Sequence, residues 1–171
     1  MLKLIQPSIE YREQILNYKK EFLLNSDSMA GTAGLERCGS FEEWLQNVYA
    51  NSINETVHEG LVPETVYLAI RTEDNHLVGM IEIRHELNDF LLQHGGNISY
   101  SVRITERRRG YAIEMLNLAL IESKKLGLRR VLITCDKKNI ASAKTVLKNG
   151  AVLENEVDEG SRITQRYWIE I

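Results

Sequence analysis

Three observations predict a mixed α/β fold, with about seven strands in a mostly antiparallel sheet and helices on both faces. Short apolar runs bounded by turn residues alternate with longer segments in which apolar residues recur at helical spacing. Tight turns at 73–75 and 158–160 separate pairs of such runs, as in β-hairpins. One strand–helix–strand stretch, from Ile98 to Cys135, predicts a right-handed crossover with parallel pairing. At 171 residues, without a linker, low-complexity tract or repeat, the chain suits one domain over 1–171 with a core of its own.

The elements follow in order. Residues 2–6, LKLIQ, alternate as a short strand, and Ser8 stands where a cap for the next helix is needed. In SIEYREQILNYKKEFLLNSD the residues Ile15, Tyr18, Phe22 and Leu23 recur at helical spacing. A polar loop with three glycines, 26–40, comes next. Ser40 with Glu43 three residues on has the spacing of a capping box before FEEWLQNVYANSI. TVYLAIRT (65–72) and HLVGMIEIRHE (76–86) read as a hairpin around Glu73, Asp74 and Asn75, with GNISYSVRI (96–104) as a third strand. A helix over 110–126 gathers Ala112, Met115, Leu116, Ala119 and Leu120 on one face and stops at Gly127. RRVLITC (129–135) is a buried strand, and NIASAKTVLKNG a short helix between Asn139 and Gly150. Two strands around Asp158, Glu159 and Gly160 close the chain. The order is β-α-α-β-β-β-α-β-α-β-β.

Charge and composition narrow the function. A net charge of −3 gives no field that draws the whole protein to nucleic acid or membrane, so any basic site is local. Cys38 and Cys135 lie far apart, which argues against a disulfide framework or a cysteine zinc site and fits a reducing cytoplasm. The N-terminus turns polar too early for a signal peptide, and no run of about 18 apolar residues occurs.

The local basic site is RRRGYA, residues 107–112, between a strand and an amphipathic helix. The first amides of a helix lack intrahelical partners and carry partial positive charge. A glycine-bearing loop into such a terminus lets the amides converge on a phosphate. Gly110 permits close backbone approach, Ala112 leaves the first turn uncluttered, and Arg107, Arg108 and Arg109 bring charge suited to several phosphates. The P-loop lysine and the dinucleotide-binding glycine spacing are both missing.

With these residues the chain resembles the GNAT superfamily of acyl-CoA-dependent N-acyltransferases, whose motif after a strand is Gln or Arg, two residues, Gly, one residue, then Gly or Ala. Arg107, Gly110 and Ala112 match it. Asn139 and Ser142 match the Asn and small residue that open the family's next helix, and the likeness is strongest over 66–153. The resemblance implies acetyl-CoA as cosubstrate, its pyrophosphate on the amides of 108–112 and an arginine, Arg108 foremost, at the 3′-phosphate. It implies that the strand ending SYSVR splays from VLITC to admit pantetheine, with backbone at Ser101, Val102 and Ile104 meeting the arm and the acetyl carbonyl. Tyr111 lies in the same loop and either joins the site or packs on its helix. Asn139 either bonds the pantetheine amide or only caps its helix.

Acid and base are less fixed. Family members often place a Tyr acid seven residues after the helix-opening Asn, and here that position is Val146. Tyr100 and Tyr111 are the nearby substitutes, Tyr111 equally able to pack on its helix, and Cys135 is either a thiol near the acetyl group or a buried structural residue. The family's usual base position falls near Gly96 and Asn97, which do not ionise. Strand 76–86 offers Glu82 and His85, with Glu82 and Arg84 on one face and His85 on the other, and a water relay with no single essential base is the alternative. Glu36, Trp44 and Tyr67 are candidates for shaping the acceptor site, Trp44 equally an anchor of its helix in the core.

The leading expectation is an acetyl-CoA-dependent N-acetyltransferase acting in a ternary complex on a primary amine of a small molecule or peptide. Its partners are that amine and a second copy in a homodimer, not nucleic acid or membrane. The alternatives are a non-catalytic acyl-CoA-binding module, consistent with Val146, and a nucleic-acid binder, which a three-residue run in an acidic chain supports poorly.

Overall fold

The computed structural model describes residues Met1–Ile171. In chain order the elements are β1 (Leu2–Ile5), α1 (Arg12–Leu24), α2 (Phe41–Asn51), β2 (Glu64–Arg71), β3 (His76–Arg84), β4 (Ile98–Val102), α3 (Tyr111–Lys125), β5 (Arg130–Asp136), α4 (Ile140–Lys148), β6 (Val152–Asp158) and β7 (Ile163–Glu170). The expected order is found, together with single 3-10 turns at Ile9–Tyr11 and Ile104–Glu106 and a π-helical turn at Leu91–Gly95.

The seven strands divide into two sheets, β1-β2-β3-β4 and β5-β7-β6. Every ladder is antiparallel. The parallel ladder expected between β4 and β5 does not form. The sheets touch through an isolated bridge between Gly96 and Ile133, flanked by the Asn97 N–H donating to Leu132 O (2.7 Å) and the Leu132 N–H donating to Asn97 Oδ1 (2.9 Å). Gly96 has φ +70°, and a Cβ there would sit 2.5 Å from Leu132 O, so the approach is open to glycine alone. Beyond it β4 pairs with β3 only, leaving its other edge free.

Alternation along the strands separates two apolar cores. Tyr67, Ala69, Ile81, Ile83, Ile98 and Val102 pack against Met115, Leu116 and Ala119 of α3 and Val146 of α4. Val66, Leu68, Ile70 and Met80 face Ile15, Tyr18 and Phe22 of α1 and Phe41, Trp44 and Val48 of α2. Trp44 is fully buried, its indole N–H donating to Thr32 O at 2.8 Å, so it anchors α2 and the 26–40 loop together. Leu23 departs from expectation and is exposed, one position off the buried stripe of α1. Ser8 precedes the 3-10 turn and makes no side-chain cap, so α1 starts only at Arg12. The Ser40 capping box is found, with Ser40 Oγ accepting from Glu43 N at 3.1 Å.

Candidate active site

The loop from β4 to α3 is built around two buried charges. Arg103, 7% exposed, donates to Leu77 O (2.7 Å) and Gln14 O (3.0 Å), pairs with Glu21 and lies 5.3 Å over the Tyr18 ring. Glu106 is also buried and gathers Arg71 (2.9 Å) and Arg109 (3.1 Å). A buried charge persists only when paired, so both fasten the loop.

Of the three expected phosphate arginines, two are engaged within the protein. Arg107 donates to Val102 O (3.1 Å), pairs with Asp27 (2.6 Å) and lies over the Phe22 ring, while Arg109 pairs with Glu106. Arg108 is exposed and has no hydrogen bond or ion pair from its side chain. It sits at φ +63°, followed by Gly110 at φ +83°, and no backbone amide from residue 108 to 112 donates to a protein acceptor. A Cβ on Gly110 would meet nothing within 4 Å. Consecutive unpaired amides in a left-handed turn at a helix N-terminus form a cradle for an anion. Tyr111 takes the packing role: its hydroxyl accepts from Arg71 at 3.3 Å, and its ring backs onto the α3 core. Ala112 and Ile104 flank the cradle, the latter in the 3-10 turn.

Two polar constellations mark the two faces of β4. On the α3 side, Tyr100 reaches Ser142 at the start of α4 (OH···Oγ 3.1 Å). Burial pushes the Tyr100 phenol above its usual range, and burial likewise raises Cys135, which the Ser142 hydroxyl partly offsets. Asn139 caps α4 through Oδ1, which accepts from Ser142 N at 3.1 Å, and its amide nitrogen makes no bond within the protein. Val146, at the family's acid position, is fully buried in the core.

On the α1/α2 side, Ser101 is locked inward, its carbonyl accepting from Tyr18 OH (2.9 Å) and its hydroxyl donating to Ala30 O. Ser101 is therefore buried against α1 and the 26–40 loop, and only backbone at this position remains to meet a ligand. Val102 shares the edge, its carbonyl taken by Arg107. Next to them, Glu82 is 4% exposed and accepts from Arg84, from Ser99 Oγ (2.7 Å) and from Ala33 N (2.9 Å). Arg84 lies 3.8 Å from Glu64 as well. Burial, with the Glu82 charge added, lifts Glu64 to about 7 despite Arg84. His85 points to the other face, as alternation predicted. Its Nε2 meets Thr65 Oγ1 at 2.8 Å, and burial lowers its pKa.

Sequence reasoning missed Glu64, Arg103 and the amide of Ala33. The hairpin register, shifted by one at a bulge between Ala69 and Ile70, puts Glu64 opposite Arg84. The apolar run predicts a strand from residue 65, one position past Glu64.

This geometry agrees with comparison to known proteins. A model of the acetyltransferase (GNAT) domain matches residues 13–152, so the chain belongs to the GNAT family, a class of acetyltransferases. A GNAT-family acetyltransferase from Bacillus anthracis superposes with a TM-score of 0.65 at 18% identity, covering 99% of this chain and 94% of that one. The microcin self-immunity acetyltransferase MccE, solved with acetyl-CoA and AMP, gives 0.67 at 17%, covering 99% and 92%. RimL, a ribosomal alpha-N-protein acetyltransferase solved with coenzyme A, gives 0.67 at 17%, covering 99% and 94%. No curated protein sequence matches the chain. No helix is long and apolar enough to cross a membrane.

Proposed function

We propose that residues 1–171 act as one N-acetyltransferase domain that moves the acetyl group of acetyl-CoA to a primary amine of a small molecule or peptide, by direct attack in a ternary complex. The observation that carries this reading is the run of five unpaired amides, 108–112, behind an edge strand that has parted from its neighbour. The amides and Arg108 hold the phosphates, Gly110 leaves room for them, and the free amide nitrogen of Asn139 bonds the pantetheine arm entering beside Val102 and Ser142. A backbone N–H of β4 near Ser101 polarises the acetyl carbonyl, an interaction worth about 3–4 kcal/mol at well-studied acyl-transfer sites.

The acceptor nitrogen attacks the acetyl carbon, the C–N bond forms, and the C–S bond breaks. The Tyr100 hydroxyl, bonded to Ser142, supplies its proton to the departing thiolate and regains one from the attacking nitrogen. The other nitrogen proton leaves through the carboxylates on the opposite face, Glu82 in their midst. The domain works in the cytoplasm, and a homodimer is the assembly we expect.

A thiol-release screen across polyamines, amino acids, aminoglycosides and peptide N-termini tests the reading, alongside calorimetric titration with CoA. Thiol release on at least one amine, with saturable CoA binding, is expected. One observation favours a second reading: Val146 leaves the family's acid position filled by core. CoA binding without thiol release on any amine would select a non-catalytic acyl-CoA-binding module instead.

A further inference from the structure

The α1/α2 face of the first sheet is apolar from Ile70 and Met80 to Val66, and then abruptly polar. Glu64, Glu82, Arg84 and Ser99 meet there on three adjacent strands, with Glu64 opposite Arg84 and Glu82 opposite Ser99. The two carboxylates differ in what holds them. Glu82 already accepts three hydrogen bonds, from a guanidinium, a hydroxyl and a backbone amide, and taking up a proton breaks part of that set. Glu64 has no hydrogen bond from the protein, only the Arg84 contact at 3.8 Å, and its side chain keeps 14% of its surface open. The 26–40 loop closes on β4 beside this patch. Gly31 is so close that a Cβ would lie 2.4 Å from Ser99 O, and Ala33 N–H reaches Glu82.

We propose that Glu64 takes the proton from the acceptor ammonium, and that Glu82 and Arg84 form the frame that positions it. The assignment rests on the acetyl-transfer reading above and adds its base. The Glu64 carboxylate accepts one proton from R–NH3+, giving the neutral acid and the free amine. The amine then attacks, its second proton goes to the thiolate through Tyr100, and Glu64 returns its proton to water. Glu82 and Arg84 are the charged groups that act on Glu64. Burial, and then the repulsion from Glu82, make the neutral form of Glu64 easier to reach, while Arg84 favours the ionised form. A base with this balance works near neutral pH, where proton acceptance and the ionised fraction are both appreciable.

The test compares wild type, Glu64→Gln and Glu64→Asp with acetyl-CoA and two primary amines, the strongly basic putrescine and the weakly basic 2,2,2-trifluoroethylamine. CoA titration first shows that each variant keeps wild-type affinity and is folded. Glu64→Gln should lose about 10²- to 10⁴-fold in kcat with putrescine. It should lose far less with 2,2,2-trifluoroethylamine, which is largely unprotonated at neutral pH, and Glu64→Asp should recover part of the rate. The acidic limb of the putrescine profile should vanish in Glu64→Gln. Equal losses on both amines, or no loss, overturn the assignment of Glu64 while leaving the transferase reading intact. Should wild type release thiol with neither, the same comparison is made on the amines that the thiol-release screen identifies, and absence of release across that whole screen overturns the two together.

Discussion

Three adjacent arginines have three different environments. Arg107 and Arg109 spend their charge on Asp27 and Glu106, and Arg108 alone offers its guanidinium outward from a left-handed backbone position. Arg108→Ala should weaken CoA binding by about 1–3 kcal/mol, the worth of a charge-assisted hydrogen bond, and leave the melting temperature unchanged. Arg107→Ala should do the reverse, lowering the melting temperature with a smaller effect on CoA. Calorimetry with CoA and thermal melts on both variants decide it, and equal affinity losses would show the run acting as undivided charge. The sequence marks the loop through the spacing of Arg107, Gly110 and Ala112, because that motif is local. It does not mark which arginine is free, because Asp27 lies eighty positions from Arg107 in the chain. The same limit hides Glu64, whose perturbation comes from burial and from Glu82 across the hairpin.

At the scale of elements, strands and helices were legible wherever apolar periodicity and a turn or cap agreed, as at Ser40, Gly127 and Asn75. They were misread where tertiary contacts override local signals. The β4–β5 pairing reads as a parallel ladder from topology, yet the strands part after Gly96, and the turn at Leu91–Gly95 has no periodic pattern to reveal it. The 26–40 loop reads only as a polar, glycine-bearing stretch, and its packing against β4 has no local signal. Gly31→Ala tests that packing. At φ +77°, with Ser99 O 2.4 Å from the new Cβ, it should cost about 1–3 kcal/mol of stability and lower turnover through Ser99 and Glu82. A melting temperature equal to wild type would show that the loop does not depend on this contact. Asn139→Ala separates cap from ligand on α4. Loss of the cap alone costs about 1 kcal/mol with CoA affinity unchanged, whereas loss of the amide contact weakens CoA and spares adenosine 3′,5′-bisphosphate, which lacks pantetheine. We expect both losses together, since Oδ1 is spent on Ser142 N and the amide nitrogen is free.

For the molecule as a whole, one core is shared by both sheets and a second fills the α1/α2 face of the first sheet, and the polar end of that face carries a carboxyl that costs stability when ionised. That carboxyl is Glu64, whose folded-state pKa of about 7 lies above the ordinary value of 4.5. A carboxyl raised in this way favours folding while protonated, so its contribution is fully present below 4.5 and is lost as the pH rises through 7. Glu64→Gln, a permanent mimic of the protonated form, should therefore gain on wild type as the pH rises from 5 to 8. The difference should reach about 1–3 kcal/mol and level off above neutrality. Chemical denaturation of both proteins at several pH values measures it, without acetyl-CoA or any acceptor. A gap that stays constant with pH would mean that Glu64 titrates normally in the fold. The polar end of the α1/α2 face would then carry no stored cost, and the link drawn here between the instability of this patch and its use as a base would fail.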